Sequence, residues 1–268
     1  VPIDEQEETS GDSLGEVIPL TPADDENDEL PSSIVQLKAR TASFTNSSIA
    51  LKEPEISDNI STASVALEAT PNLTSSTQLI ASAEAGIIRF SRGAVFDADT
   101  MKFGAAVRQR LNEKIFGQLG WNYVQLKNRG FNLDDKRLLQ QNSVYLNLEY
   151  KESLAENLYI NPFYQFKARF ADPTDRSRLS HTLGTELKYN LASNVETALG
   201  YQLTLDDYTK ISRFDTIHRL KADVTYRINQ ALFVTGLVAY QFGSSSDDAL
   251  DPENLSVGIE FGLDLPLF

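Results

Sequence analysis

Two histidines, His181 and His218, are the natural starting point for any catalytic reading of this sequence. Ser180 precedes the first, and Thr216 stands two residues before the second. A hydroxyl and an imidazole on one face would suit nucleophilic hydrolysis, given a third group to orient the base. The pattern falls short of that. In an extended chain Ser180 points away from His181, and no Asn or Asp is marked as an orienting partner, so no catalytic residue is assigned and the chain is not expected to be an enzyme. The acidic stretches "DPTDRS" (172–177) and "SSSDDALDPEN" (244–254) lack the ligand spacing of a calcium loop. With no cysteine and two histidines, neither a zinc site nor thiol chemistry is supported, and no metal or cofactor is expected. No phosphate-cradling glycine loop or nucleophile elbow is present, and no basic stripe points to nucleic acid.

The other chemistry is that of charged residues alternating with apolar ones. In "YINPFYQFKARF", Ile160, Pro162, Tyr164, Phe166, Ala168 and Phe170 share one parity, and Tyr159, Asn161, Phe163, Gln165, Lys167 and Arg169 share the other. In "HRLKADVTYRI", His218, Leu220, Ala222, Val224 and Tyr226 oppose Arg219, Lys221, Asp223, Thr225 and Arg227. Successive side chains of a strand point to opposite faces, so each segment has one apolar and one polar face.

This period of two predicts twelve strands, at about 34–44, 60–69, 77–90, 100–111, 115–127, 143–152, 157–170, 179–191, 195–206, 215–228, 231–242 and 255–267. Most are longer than the five or six residues of an ordinary globular strand and match a tilted membrane crossing of about 9–11 residues. Connections at 112–114, 153–156, 192–194 and 229–230 are short, whereas those at 45–59, 128–142, 171–178, 207–214 and 243–254 are long. Alternation of short and long connections is the pattern of an up-and-down transmembrane β-barrel with tight turns on one rim. A soluble Greek-key sandwich mixes its connection lengths less regularly. The turns "RLNEKIF", "YKESLAENL", "YNLASNVE" and "YRINQALF" form a loose repeat. Tyr150, Tyr189 and Tyr226 fall at one height near the short turns, and Tyr123, Phe170, Tyr240 and Phe242 near the long loops, as two aromatic girdles.

Residues 1–33 contain eleven acids and no Lys or Arg, so this segment is read as a disordered acidic tail on a barrel spanning 34–268. The tail either hangs free, which its lack of a packing face favours, or folds into the lumen. The chain starts at Val1, compatible with the removal of a targeting segment. No run of about 18 apolar residues predicts a membrane helix, which says nothing against a barrel.

The last stretch, "LSVGIEFGLDLPLF", alternates strictly and closes on Phe268. It resembles the terminal strand of Gram-negative outer-membrane β-barrels, and "LEATPNLTSSTQLIASAEAGIIRFSR" resembles cyanobacterial outer-membrane proteins. The first resemblance implies an insertion signal at Phe268, read by the barrel-insertion machinery, with both termini periplasmic. Phe268 departs from the pattern, being out of phase with Leu263, Leu265 and Leu267; a bulge near Pro266 would restore the phase.

With apolar positions facing lipid, the opposite parity lines the lumen. Its bases are Lys38, Arg40, Lys102, Arg108, Arg110, Lys151, Lys167, Arg169, Lys188, Arg219, Lys221 and Arg227. Its acids are Glu68, Glu84, Glu149, Glu186, Glu196, Asp215, Asp223, Glu260 and Asp264. Twelve tilted strands give a backbone diameter of about 25 Å and a gap of roughly 10 Å between opposed side chains. The expected function is a porin-like channel for ions or small polar solutes, weakly favouring anions. The alternatives are a non-conducting anchor or export barrel and, less favoured, a lipid hydrolase. Oligomeric state and solute are not specified by the sequence.

Overall fold

The computed structural model describes residues 35–47, 57–92, 97–129, 137–247 and 252–268. The acidic segment 1–33 lies outside them, as does part of the stretch at 244–254. The strands are β1 (Val35–Asn46), β2 (Asp58–Ala69), β3 (Thr77–Phe90), β4 (Ala98–Arg110), β5 (Ile115–Asn128), β6 (Arg137–Tyr150), β7 (Glu152–Ala155), β8 (Leu158–Asp172), β9 (Arg178–Ala192), β10 (Val195–Tyr208), β11 (Phe214–Arg227), β12 (Leu232–Ser245) and β13 (Asn254–Pro266).

Each strand pairs antiparallel with its neighbours in sequence, and β1 pairs with β13 to close the sheet. The four-residue β7 continues β6 beyond Lys151, and β6 itself pairs with β8. Thirteen strands less this continuation leave a ring of twelve. Closure satisfies every edge, which a sheet crossing lipid requires because the hydrocarbon offers no hydrogen-bond partners.

The distribution of polarity is inverted relative to a water-soluble protein. Outward apolar side chains are open, with Phe170 at 62%, Leu183 at 60% and Val65 at 53% exposure. Among the most buried residues are Ser143, Ser180, Gln78 and Lys167. Leaving one large apolar side chain in water rather than burying it costs about 1.5–3 kcal/mol, so this outer face calls for lipid.

The structure moves some boundaries. β6 begins at Arg137, six residues before the predicted 143, so "RLLQQN" is strand rather than loop. Two connections expected to be long are short: only 173–177 separates β8 from β9, and only 209–213 separates β10 from β11. The prolines, aspartates and basic residues near these loops look like loop in sequence, yet the cross-strand ladders continue through them. The short-turn rim also carries a longer connection at 70–76, tied by Leu79 N donating to the Pro71 carbonyl at 3.0 Å.

Across the loops the last three hairpins share one register. Phe166 faces His181, Leu203 faces His218 and Tyr240 faces Leu255, each step being 37 residues in both strands. The repeat glimpsed in the turns is thus a strict structural repeat of β8–β13.

Candidate functional site: the lumen and its two rims

Turns on one rim fix the strand phase, and the phase sends the charged residues inward. In the β4–β5 turn, Asn112 Oδ1 accepts from the backbone N–H groups of Lys114 and Ile115, both at 2.8 Å. In the β11–β12 turn, Asn229 Oδ1 accepts from Ala231 and Leu232 N–H at the same distance. These Asx turns set which parity faces the lumen.

Most inward charges are paired, and the pairs follow the wall. Lys38 lies 2.6 Å from Glu68 on the next strand. Arg40 lies 2.5 Å from Asp264 and 3.7 Å from Glu260, both on β13. Lys102 meets Glu84 at 2.9 Å, and Lys221 meets Asp223 on its own strand at 2.7 Å. Lys188 sits 3.5 Å from Glu186 and 3.9 Å from Glu196. Arg108 reaches over β5 to Glu149 at 3.3 Å. Arg219 donates to Gln241 at 2.7 Å. Each of these links joins one strand to itself or to a strand one or two places away. These charges are thus neutralised along the wall, between near strands, rather than across the lumen.

Near the loop rim the network is denser and buried. Asp206 lies 3.3 Å from Arg178 and 3.9 Å from Arg169, and Ser180 bridges Arg169 to Asp206. Lys167 is buried beside it. Arg178 and Asp206 were absent from the lumen residues expected from sequence, as was Asp58, because each falls at an expected strand boundary.

Inward aromatic rings are flattened against the wall by glycines opposite them. Phe44 faces Gly258, Tyr145 faces Gly120, Phe163 faces Gly184 and Phe233 faces Gly262. A Cβ built at Gly262 would stand 2.1 Å from the Phe233 ring, and one at Gly120 2.4 Å from Tyr145. Rings so placed cover the glycine backbone without projecting across the lumen. We expect Gly262→Ala to push Phe233 off the wall and to cost about 1–3 kcal/mol through overpacking. Unfolding by denaturant in lipid vesicles measures this, and Gly262→Ala/Phe233→Ala should recover most of the loss.

Lys102 faces inward with Arg108, yet its side chain is 49% exposed even while paired to Glu84. Lys221, also inward, is 38% exposed. The lumen therefore leaves open space beside both side chains at these heights.

Aromatic side chains lie outward near both rims. Tyr150, Tyr189 and Tyr226 lie outward near the turn rim, and Tyr123 and Tyr240 outward toward the loop rim. At the turn rim, hydrogen bonds from Lys114 first and Tyr150 second hold the Glu152 carboxyl below the usual carboxylate range. The loop-side belt has members the sequence reading missed. Tyr164 and His181 Nδ1 share a hydrogen bond of 2.8 Å, and so do Tyr201 and His218 Nδ1. His218 also stacks on Phe242, with ring centroids 4.9 Å apart. The 37-residue spacing of Tyr164 to Tyr201 and of His181 to His218 was the available signal. Both imidazoles are thus engaged by tyrosines.

Phe268 ends the chain at 89% exposure. The β1–β13 register runs without a shift as far as Pro266; beyond it Val35 meets both last residues, accepting from Leu267 N and donating to the Phe268 carbonyl at 3.3 Å, the two-against-one pattern of a bulge. Pro266 does not end the pairing, because Leu267 N donates to the Val35 carbonyl at 2.7 Å.

A family model described as "Putative beta-barrel porin 2" matches residues 168–264. Among solved structures, the chain is similar to the COG4313 outer membrane channel from Pseudomonas putida F1, with a TM-score of 0.60 at 14% identity, covering 91% of this chain and 99% of that one. It is similar to a bacterial polysaccharide outer membrane secretin, with a TM-score of 0.54 at 11% identity over 85% of this chain and 97% of that one. The beta domain of the Bordetella autotransporter BrkA gives 0.52 at 11% identity, over 85% and 98%. No curated protein matches the chain significantly. At these identities the likeness establishes the fold, which is that of the outer-membrane β-barrels.

Proposed function

We propose that this chain is an outer-membrane channel passing ions and small polar solutes through a hydrated lumen, with its turn rim toward the periplasm. The observation that carries this reading is the half-exposed, inward Lys102. The space beside a charged, inward lysine at that depth is space that suits water. Ion pairs that follow the wall and rings held flat on glycine support it. The match to a porin family model over 168–264 and the fold of outer-membrane barrels agree with it and favour the outer membrane as its location. The lipids around the barrel, the insertion machinery reading the Phe268 strand, and the permeating solutes are the partners this reading requires. It also makes the chain non-enzymatic, consistent with imidazoles that meet tyrosine hydroxyls on the outer face.

Single-channel recording in planar bilayers tests the proposal. We expect stable unitary currents with weak ion selectivity, because the inward bases and acids nearly balance. Lys102→Glu should move the reversal potential toward cation preference. A barrel that inserts and never conducts would favour the anchor or scaffold reading.

A further inference from the structure

The two histidines belong to one structural unit that occurs twice. Tyr164 and His181 recur 37 residues on as Tyr201 and His218. In each copy the tyrosine hydroxyl and the histidine Nδ1 stand 2.8 Å apart. The ring centroids are 6.2 and 6.1 Å apart, tilted by 32° and 31°. A phenylalanine braces each imidazole, Phe166 with its centroid 5.1 Å from that of His181 and Phe242 4.9 Å from that of His218. Each phenylalanine faces its histidine directly across a strand pair.

These contacts leave the second ring nitrogen over. With the tyrosine hydroxyl donating to Nδ1, a neutral imidazole carries its proton on Nε2. Neither Nε2 has a hydrogen-bond partner among the described residues. Both rings belong to the outer face, sharing strand parity with Leu183 at 60% exposure and Leu220 at 44%. A donor held in place on a lipid-facing surface is costly unless the lipid supplies an acceptor.

Height decides which part of a lipid meets these donors. His181 and Tyr189 are eight positions apart on β9, and so are His218 and Tyr226 on β11. A strand tilted by about 40° climbs roughly 2.5 Å per residue, which sets the imidazoles about 20 Å above those tyrosines. The outward apolar band of such a barrel is about 25 Å tall. With the tyrosines at the turn-side boundary, both imidazoles lie just inside the loop-side boundary, next to the headgroups. Leu205 faces His181, and two residues beyond Leu205 on the outer face stands the exposed Asp207. Asp207 is in no ion pair among the described residues, and Ser244 takes its place in the repeat.

We propose that the two imidazoles bind phospholipids of the loop-side leaflet, each Nε2–H donating to a headgroup phosphate oxygen. At His181 the ammonium of an ethanolamine headgroup also meets the Asp207 carboxylate. Tyr164 and Tyr201 are positioning residues, which keep the proton on Nε2 and hold the ring. The site needs a barrel in a membrane and does not need conduction, so a chain that never conducts leaves it standing.

Because the whole chain has two histidines, isotope-labelled histidine reports on these positions alone. In vesicles of phosphatidylethanolamine and phosphatidylcholine, solid-state NMR should show the Nε2 signals dephased by lipid phosphorus more strongly than the Nδ1 signals. Tyr164→Phe/Tyr201→Phe keeps the rings and should erase that difference between the two nitrogens. After transfer to detergent, native mass spectrometry should find two phospholipids retained per barrel, one in His181→Phe or His218→Phe, and none in the double variant. Phenylalanine suits the outer face, and the heat-modifiable gel shift of folded barrels checks that these variants fold. Asp207→Asn should remove the preference of the His181 position for phosphatidylethanolamine over phosphatidylglycerol. No dephasing by phosphorus at either imidazole, or equal lipid retention by the parent and the double variant, would overturn the proposal.

Discussion

Asp206→Ala should destabilise the barrel by about 3–5 kcal/mol, the cost typical of breaking a buried ion pair by removing one partner. Asp206 sits between Arg178 at 3.3 Å and Arg169 at 3.9 Å, and accepts a hydrogen bond from Ser180. Both its side chain and that of Arg178 are buried. Removing the carboxylate leaves two guanidiniums close together without their shared counter-charge. Asp206→Asn keeps the acceptor for Ser180 and loses only the charge, so it should fall between parent and alanine variant. Equilibrium unfolding in lipid vesicles separates the three. Equal stability of parent and alanine variant would mean that water already screens this network.

A lysine on the lipid face should cost nearly as much for a different reason. Leu220 and Val224 point outward on β11, at 44% and 50% exposure. Leu220 stands near the middle of the strand, where a lysine is furthest from either interface. Leu220→Lys should lose about 2–4 kcal/mol, and Val224→Lys less because its ammonium reaches the turn-side interface sooner. Thr225 is the control. It faces inward and shares a hydrogen bond of 2.8 Å with Thr235, so Thr225→Lys should be tolerated at the cost of that bond. Refolding yield into vesicles, scored by the heat-modifiable gel shift of folded barrels, ranks the three. Equal losses for Leu220→Lys and Thr225→Lys would mean that the two faces are exchanged.

Those two predictions differ in how much of each the sequence contains. Leu220 and Val224 are outward by simple parity within "HRLKADVTYRI", a run that alternates without interruption. Asp206 follows Leu205 at the end of a strand whose last residues, "LDDY", look like the start of a loop. Its assignment to the lumen needs the ladder to continue to Tyr208, which the pairing with β9 decides. Likewise, "RLLQQN" lacks alternation, and its pairing with β5, joined from Gln140 by pairing with β8, makes it strand.

What the sequence by itself determined was the period. A period of two, sustained over strands too long for a globular sheet, specifies faces, strand number and which tyrosines point outward, because side-chain direction in a strand depends only on parity. Tertiary structure alone decided which residues of the same parity meet. That Arg40 finds Asp264, that Phe233 lies over Gly262, and that Arg110 and Arg227 stand on opposite walls all follow from closing β1 on β13 and from the register of each pair. Parity is a local property of the backbone. Register and ring position are properties of the closed sheet, fixed only when every strand has found both of its neighbours.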